Sequence, residues 1–541
     1  MKKDKEVFAL WKEINPVSAF GAGLKENAGT LWISSSANIK HALLRIKQLE
    51  KNADPVAKKF LNCIKTSILF EEPQHPPNQI LSAYFTHLTI EGINEKHVLQ
   101  LAEQGISLLG VQKHLWEKKW PIELQIFTAQ ECSGAKAILD TIKKQCKKQE
   151  TKDAITALQK RIDNWKENIT KIQIKKGDFN ELFSLLKKKA TLQRKNIYNK
   201  LITTLYDHTE TPEQIERLAL SWVDKELPVF KTIVKKLSQK YKCKATVESI
   251  SEMLKKKQAV KTTDLLNIIA TVRKKLQPVA EKEWVQITPK YDVRLIETPS
   301  YLTPFLPTAA MDLFGTLSNK PFCLYFVTTD KTKSPMSDIP DLVQTTIHEE
   351  YGHCVNLMNS AVNTKNRIIE KISSSLEIPL TEGLSFFREL EGLSTFKKIR
   401  DTGAKNKEEK VLVNEIEKHV PFEEFVLGVS FVVYQWRMVR FLRAISDVRV
   451  NTGKQKYPAF IEWAHKKTGL SKKLIFHQTF FFQEMPGYAP SYSLFGQQLK
   501  KYQHLAMKKG ISQKAFNTYV AGRGFPARSV FEKELKKKFK I

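Results

Sequence analysis

His348, Glu349 and His353, within Ile347-His-Glu-Glu-Tyr-Gly-His353, are the residues whose types and spacing come nearest to metal chemistry. Histidines four residues apart on an α-helix differ by about 40° around its axis, so both imidazoles can face one divalent ion while a glutamate beside the first reaches the ion's water. Here the histidines are five apart. On a regular helix that spacing turns the rings about 140° from each other, too far to share an ion. One extra residue can be absorbed by a π turn, a widened turn found preferentially at functional sites, and Gly352 lowers the cost of that distortion. The spacing therefore predicts a π turn between His348 and His353. The alternative is a regular helix on which Glu349 and His353, four apart, form a surface ion pair.

Two side chains from one helix do not complete a tetrahedral shell, so a third ligand is expected from a later helix. Glu382, in Pro379-Leu-Thr-Glu-Gly-Leu-Ser-Phe-Phe-Arg-Glu389, is the candidate, because Thr381 can cap a helix whose first turn carries the carboxylate. Glu389 follows two turns later as an alternative behind it. The bland account of either glutamate is a favourable charge near a helix start. Imidazole and carboxylate ligands suit one Zn²⁺ ion, and Mn²⁺ or Co²⁺ are the other divalent ions the set would take. Cys354 projects about 100° from His353 and reads as a buried thiol. His477, in the apolar run Ile475–Phe482, reads as a hydrogen-bonded core residue, not as a ligand.

The elements that must position these groups are mainly helices. From Asn38 to about Gln277 apolar residues recur at spacings of three and four, as at Ile155, Leu158, Ile162, Trp165 and Ile169. Breaks fall at Glu72–Pro77, Lys176–Asp178 and Thr211–Pro212, where turn residues or prolines interrupt the pattern. Between Trp284 and Lys331 the pattern changes, and Tyr291–Ile296 and Phe322–Val327 predict two short strands. A helix is expected to start at Ser337–Pro340, with Ser or Asp as cap and Pro in the first turn, and to lead into the histidine pair.

The chain has 541 residues, beyond the size at which one core usually stops growing, which predicts one large helical protein or two lobes sharing a cleft; the change of pattern at Trp284 divides it into an N-terminal helical lobe (1–283) and a lobe carrying the candidate metal-site helices (284–541), together one continuous unit. Its formal charge is +31, but only 15 of its 88 basic residues are Arg, a Lys excess that favours a solvated surface over specific nucleic-acid reading. Six scattered cysteines without a C-x-x-C pair point to a reducing, cytoplasmic setting. The charged start MKKDKEVFALWKEINP and the lack of an 18-residue apolar run speak against export and membrane insertion.

The ordered motifs resemble those of family 885 of the domains of unknown function, predicted gluzincin-type metallopeptidases. In that family H-E-x-x-P-G-H-H precedes an E-G-W-A-L-Y-like helix, a basic helix like R-A-x-R-L-x-x-D-T-G-x-H, and P-G-Q-A-x-S-Y. The counterparts here are His348–His353, Glu382–Phe387, Arg440–Asp447 and Pro486–Tyr492. This chain departs from the pattern in a first motif shorter by one, with Cys354 for the second adjacent His, Phe387 for Tyr and Asn451 for the later His. The resemblance implies a large, mostly helical fold with a deep cleft and a small β-element beside the site, akin to carboxypeptidase Taq and the thimet-type oligopeptidases.

On that reading His348, His353 and Glu382 hold the zinc and Glu349 is the general base in hydrolysis of a peptide substrate. Tyr492 is the expected oxyanion donor, with Tyr488 in reserve; both could equally be aromatic core. Arg443 and Arg440 either grip a peptide carboxylate or form structural ion pairs. The competing function is a catalytically decayed, metal-free relative that binds peptides or anionic partners. No membrane or specific nucleic-acid partner is expected.

Overall fold

The computed structural model describes residues 2–172, 179–258, 260, 264–299, 302–303, 306, 309–329 and 338–541. The break expected at Lys176–Asp178 and the Ser337 cap lie outside the described residues. Within them the predicted periodicity becomes packing. The helix Gln149–Ile169 buries Ile155, Leu158, Ile162, Trp165 and Ile169, and the helix Pro212–Tyr241 starts on a Thr211–Gln214 capping box with Pro212 in its first turn. The fold is mainly α-helical.

Among the described residues the strand region holds one sheet of three strands: β1 (Val293–Glu297), β2 (Ala309–Phe314) and β3 (Phe322–Val327), in the order β1-β3-β2. β1 runs parallel to β3 with Val293 opposite Cys323, and β2 is antiparallel with Phe314 opposite Phe322. Two strands were expected. The third, Ala-Ala-Met-Asp-Leu-Phe, lacks β-branched residues and is a strand because the central, apolar β3 offers it a partner.

Four helical segments enclose the residues singled out by sequence. The signature helix is α over Ile339–Thr346, π over Ile347–Cys354 and α again over Val355–Val362. Asp338 caps it by accepting from the Asp341 N–H, with Pro340 in the first turn. Beside it run the helices Ile378–Thr402, Phe422–Asn451 and Pro490–Lys508. The second of these is long and apolar enough to cross a membrane by composition, yet 78% of its apolar window is buried inside the protein. It is the core helix, and it brings Arg437, Arg440 and Arg443 into the interior.

Missing side chains set how closely these helices approach. A Cβ on Gly352 would lie 2.5 Å from the Ser385 Cα, one on Gly392 2.6 Å from the Ile347 Cδ1, and one on Gly383 2.8 Å from the Phe495 ring. The Ile378–Thr402 helix is thus clasped on several faces through its own or its neighbours' glycines. A second apolar cluster joins Ile122 and Phe127 to Leu227, Phe441, Ile445 and Tyr492, so residues on both sides of position 283 share one core.

Two sequence expectations give way here. His477 is exposed, with its ring beside Phe179 and Phe476, because its position on the short helix Lys472–Thr479 faces outward while Ile475, Phe476 and Thr479 face in. Thr381 does not cap a helix: the helix starts at Ile378, with Pro379 in its first turn, and the Thr381 hydroxyl donates back to the Glu377 and Ile378 carbonyls.

Candidate metal centre

The π turn brings His348 and His353 to the same side of their helix. Their rings lie 4.9 Å apart at 86°, and one ligand atom each from His348, His353 and Glu382 falls within 4.8 Å of the others. The Glu382 Oε2 sits 3.4 Å from the His353 Nε2 and 3.9 Å from the His348 Nε2. Ligand atoms around a tetrahedral Zn²⁺ stand about 3.3 Å apart, close to this spacing. The Glu382 Oε2 is buried and accepts no hydrogen bond, whereas its Oε1 accepts one from the Tyr488 hydroxyl. An ionised oxygen left bare in the interior is costly. A divalent cation is the partner that this oxygen and two imidazole lone pairs have in common, so the residues present fit the metal.

Around the triad a second set of groups fixes its orientation. The His348 Nδ1 lies 2.7 Å from the Glu389 Oε1. A carboxylate there accepts the Nδ1 proton and so leaves the Nε2 lone pair free on the triad side. Arg440 braces the same carboxylate, with Nη1 donating to Oε2 at 2.9 Å and Nη2 lying 2.8 Å from Oε1. Glu389 therefore stands behind the triad, on the far side of the His348 ring, and not in it. Its place seven residues after Glu382, on the same helix face, is the signal that sequence offered.

The two glutamates of the signature turn divide. Glu350 faces away from the triad and pairs with Arg273 and the Tyr291 hydroxyl, tying the turn to the neighbouring helix and the approach to β1. Glu349 takes no hydrogen bond among the described residues. Burial, reinforced by Glu382 and Glu389, pushes its carboxyl up to about 7, although His353 and Arg440 pull the other way. Burial also raises Glu382, but His353, His348 and Tyr488 outweigh it and hold this carboxyl down to about 2. Burial, Arg440 and His353 keep His348 well below the ordinary imidazole value. His348 is thus held neutral and Glu382 ionised, whereas Glu382 raises His353 against its burial, so in the protein as it stands the Glu382 carboxylate faces an imidazole proton that a bound cation would have to displace.

Tyr492 and Tyr488 both reach this region. The Tyr492 ring stacks 6.4 Å from the His348 ring, and the two tyrosine rings are 5.9 Å apart. The Pro486–Gly487 turn that presents them is anchored by the Gly487 N–H, which donates to Asp447 at 2.8 Å. Arg440 is in the ion pair already described. Arg443 is not in an ion pair with a carboxylate among the described residues: it donates to the Gln478 backbone and side-chain oxygens, both at 2.7 Å. Nothing in the sequence announced Gln478.

One departure from the family pattern, the shortened histidine motif, lies in the triad itself, and the three substituted residues do not join it. Phe387 packs into the apolar core, Cys354 is fully buried against Cys323 and Met358, and Asn451 bridges Arg194 and Asp447.

The whole chain is similar in fold to two solved structures. One is a putative lipoprotein from Colwellia psychrerythraea, with TM-score 0.65 and 14% identity over 100% of this chain and 99% of that one. The other is a putative lipoprotein of unknown function from Shewanella oneidensis, with TM-score 0.67 and 16% identity over 98% of each chain. An M32 carboxypeptidase from Deinococcus radiodurans R1 overlaps with a TM-score of only 0.35 at 10% identity, covering 100% of both chains, too loosely to bear on fold or function. No protein-family model matches the chain, and a search of curated proteins finds no match either. The resemblance to family 885 therefore stands on the ordered motifs alone.

The expected cytoplasmic location is overturned, since both of the full-length neighbours are described as putative lipoproteins. The cysteine argument failed for a physical reason. All six thiols are free, five of them buried, and a core of this size needs no disulfides, so unpaired cysteines say nothing about the compartment. What the chain shares with these two proteins, from end to end, is the fold.

Proposed function

We propose that this protein is a metal-dependent hydrolase that cleaves peptide bonds in short peptides. The observation that carries the reading is the convergence of His348, His353 and Glu382 on one point, with the Glu382 Oε2 left bare. A zinc ion held by these three side chains would supply a water of lowered pKa and polarise a substrate carbonyl. Glu389 keeps the His348 Nε2 unprotonated for that purpose. Glu349, half-buried and without a hydrogen-bond partner among the described residues, takes a proton from the attacking water and returns it to the leaving amine. Tyr492, or Tyr488 once it leaves Glu382, donates a hydrogen bond to the oxygen that gains charge. His348 and Glu382 are each only 7% exposed, which favours a chain segment or chain end over a folded protein as substrate. The lipoprotein description of the two neighbours supports an exported or membrane-anchored setting, which cell fractionation reads directly.

Metal analysis of the purified chain after zinc loading, followed by a peptide-hydrolysis assay, tests the reading. One zinc per chain is expected. Glu349→Gln should keep that zinc and lose turnover by about 10²–10⁴-fold. A chain that takes up no zinc, or one that holds it and cleaves nothing across a peptide library, ends the proposal.

A further inference from the structure

A groove on the N-terminal helices shares no residue with the metal centre. The helix Ser36–Glu50 turns Ala42, Ile46 and Leu49 into the core. Ile39, Leu43 and Leu44 lie roughly a third of a turn further round its axis and, with Leu69 and Val111, line an open groove of about 940 Å³. Leu44 is 53% exposed, Leu69 48% and Val111 41%. Among the described residues eight large apolar side chains are exposed, and three of them fall in this one groove. Single exposed apolar residues are ordinary, but a cluster lining a concavity marks a surface that a partner covers.

The charge along the groove narrows the choice of partner. Lys40, Lys47 and Lys65 line it, and none of them makes an ion pair among the described residues. The helices Ser36–Glu50 and Pro55–Leu69 are joined by residues 51–54 and run antiparallel, which puts the two acidic lining residues at the groove's ends. Glu50 closes one end. Glu71 closes the other, where it accepts from Gln112 and has the His114 Nε2 3.1 Å away. Between them the charge is positive throughout.

An occupant must therefore carry negative charge beside an apolar stripe along its whole length. A lipid has its charge at one end, whereas Lys40 and Lys47 stand two helical turns, about 10 Å, apart. A flat bilayer does not enter a concave groove. A second copy of this chain, at +31, is repelled. An amphipathic helix with acidic flanks meets every condition, because the groove follows the 15 residues of Ser36–Glu50, about 21 Å, or four turns of a partner helix. We propose that this groove docks an acidic amphipathic helix of another protein, its apolar stripe on Leu44, Leu69 and Val111 and its carboxylates facing Lys40, Lys47 and Lys65. The docking is independent of the hydrolase reading.

Fluorescence anisotropy of the full chain tests it with a labelled, end-capped peptide of the groove's length, Glu-Leu-Ala-Glu-Leu-Leu-Ala-Glu-Leu-Ala-Glu-Leu-Leu-Ala-Glu. Saturable binding is expected, weakening as salt is raised. Leu44→Ser with Leu69→Ser should weaken it about ten-fold or more. Lys40→Gln with Lys47→Gln should weaken it about two- to ten-fold and flatten the salt dependence. All four side chains are exposed, so the melting curves of both double variants should match that of the wild-type chain. The same peptide with Lys for every Glu should not bind. No saturable binding, equal binding of the Lys peptide, or unchanged affinity in the folded double variants overturns the proposal. So does a chain that ignores the peptide but binds phosphatidylglycerol vesicles through Leu44 and Leu69, which would make the groove a membrane contact.

Discussion

At the scale of single residues, the candidate site depends on which of several buried or half-buried carboxylates is left free to work. Glu350 is spent on Arg273 and Tyr291, Glu389 on His348 and Arg440, and Glu382 faces the two imidazoles. Glu349 alone in this group has no such partner among the described residues. Glu389→Gln separates orientation from ligation. An amide oxygen can still accept the His348 Nδ1 proton, but the charge that makes His348 a better ligand is gone. The Arg440 guanidinium then loses its counter-ion. Zinc affinity, read by chelator competition, should fall about 10–100-fold, while denaturant stability should drop by about 3 kcal/mol from the unpaired Arg440. Glu389→Asp, which keeps the charge, should recover part of both. Unchanged zinc affinity in a folded Glu389→Gln protein would mean that His348 is no ligand.

At the scale of elements, the site is made by one irregular turn pressed against one glycine-lined helix. The five-residue spacing of His348 and His353 demands the π turn, and that much was legible because helix geometry is local. The role of Gly352 was not. Read alone, it eases a distortion; in the fold, its missing Cβ lets the turn touch Ser385 and so brings Glu382 within reach of both histidines. Pairings between distant segments, such as Arg443 with Gln478 or β2 with β3, leave no periodic trace in sequence, so they stayed hidden. Gly352→Ala tests the contact. The new Cβ would lie 2.5 Å from the Ser385 Cα and Oγ, and a backbone atom cannot rotate away. Overpacking of this kind costs about 1–3 kcal/mol. It should also spread the triad and weaken zinc binding. Ser385→Gly, which removes the Oγ and Cβ but not the Cα, should rescue only in part. Gly110→Ala, whose Cβ would meet only the Arg161 Nη2 at 3.5 Å, is the neutral control. Equal zinc affinity in Gly352→Ala and Gly110→Ala would show that the close approach does not set the triad.

At the scale of the whole molecule, the N-terminal helices and the C-terminal elements are joined by buried polar groups as well as by shared apolar core. Arg194 ties Glu72 to the Asn451 side chain and to the Gln483 carbonyl, bridging three distant stretches of chain. Near it Glu131, on the helix Ile122–Gln145, and Glu484, beside the Pro486–Gly487 turn, are both buried. Burial pushes Glu131 up to about 7, and burial together with Glu131 and Glu72 raises Glu484 further. Folding therefore favours the protonated forms. A carboxyl raised in the folded state contributes its full stability below its unfolded value, about 4.3 for Glu. That contribution is lost as pH rises through the folded value. Between about pH 4 and pH 7 the joint should weaken as the two carboxyls are forced to ionise against each other. Glu131→Gln cannot ionise, and its amide oxygen can still accept from Asn78, which now donates to Glu131 at 3.1 Å. Its unfolding free energy from urea titration, relative to the wild-type chain, should therefore be higher at pH 8 than at pH 5, by an amount on the order of 1 kcal/mol or more. A difference that is flat across this range, or of opposite sign, would show that Glu131 is already ionised in the folded protein.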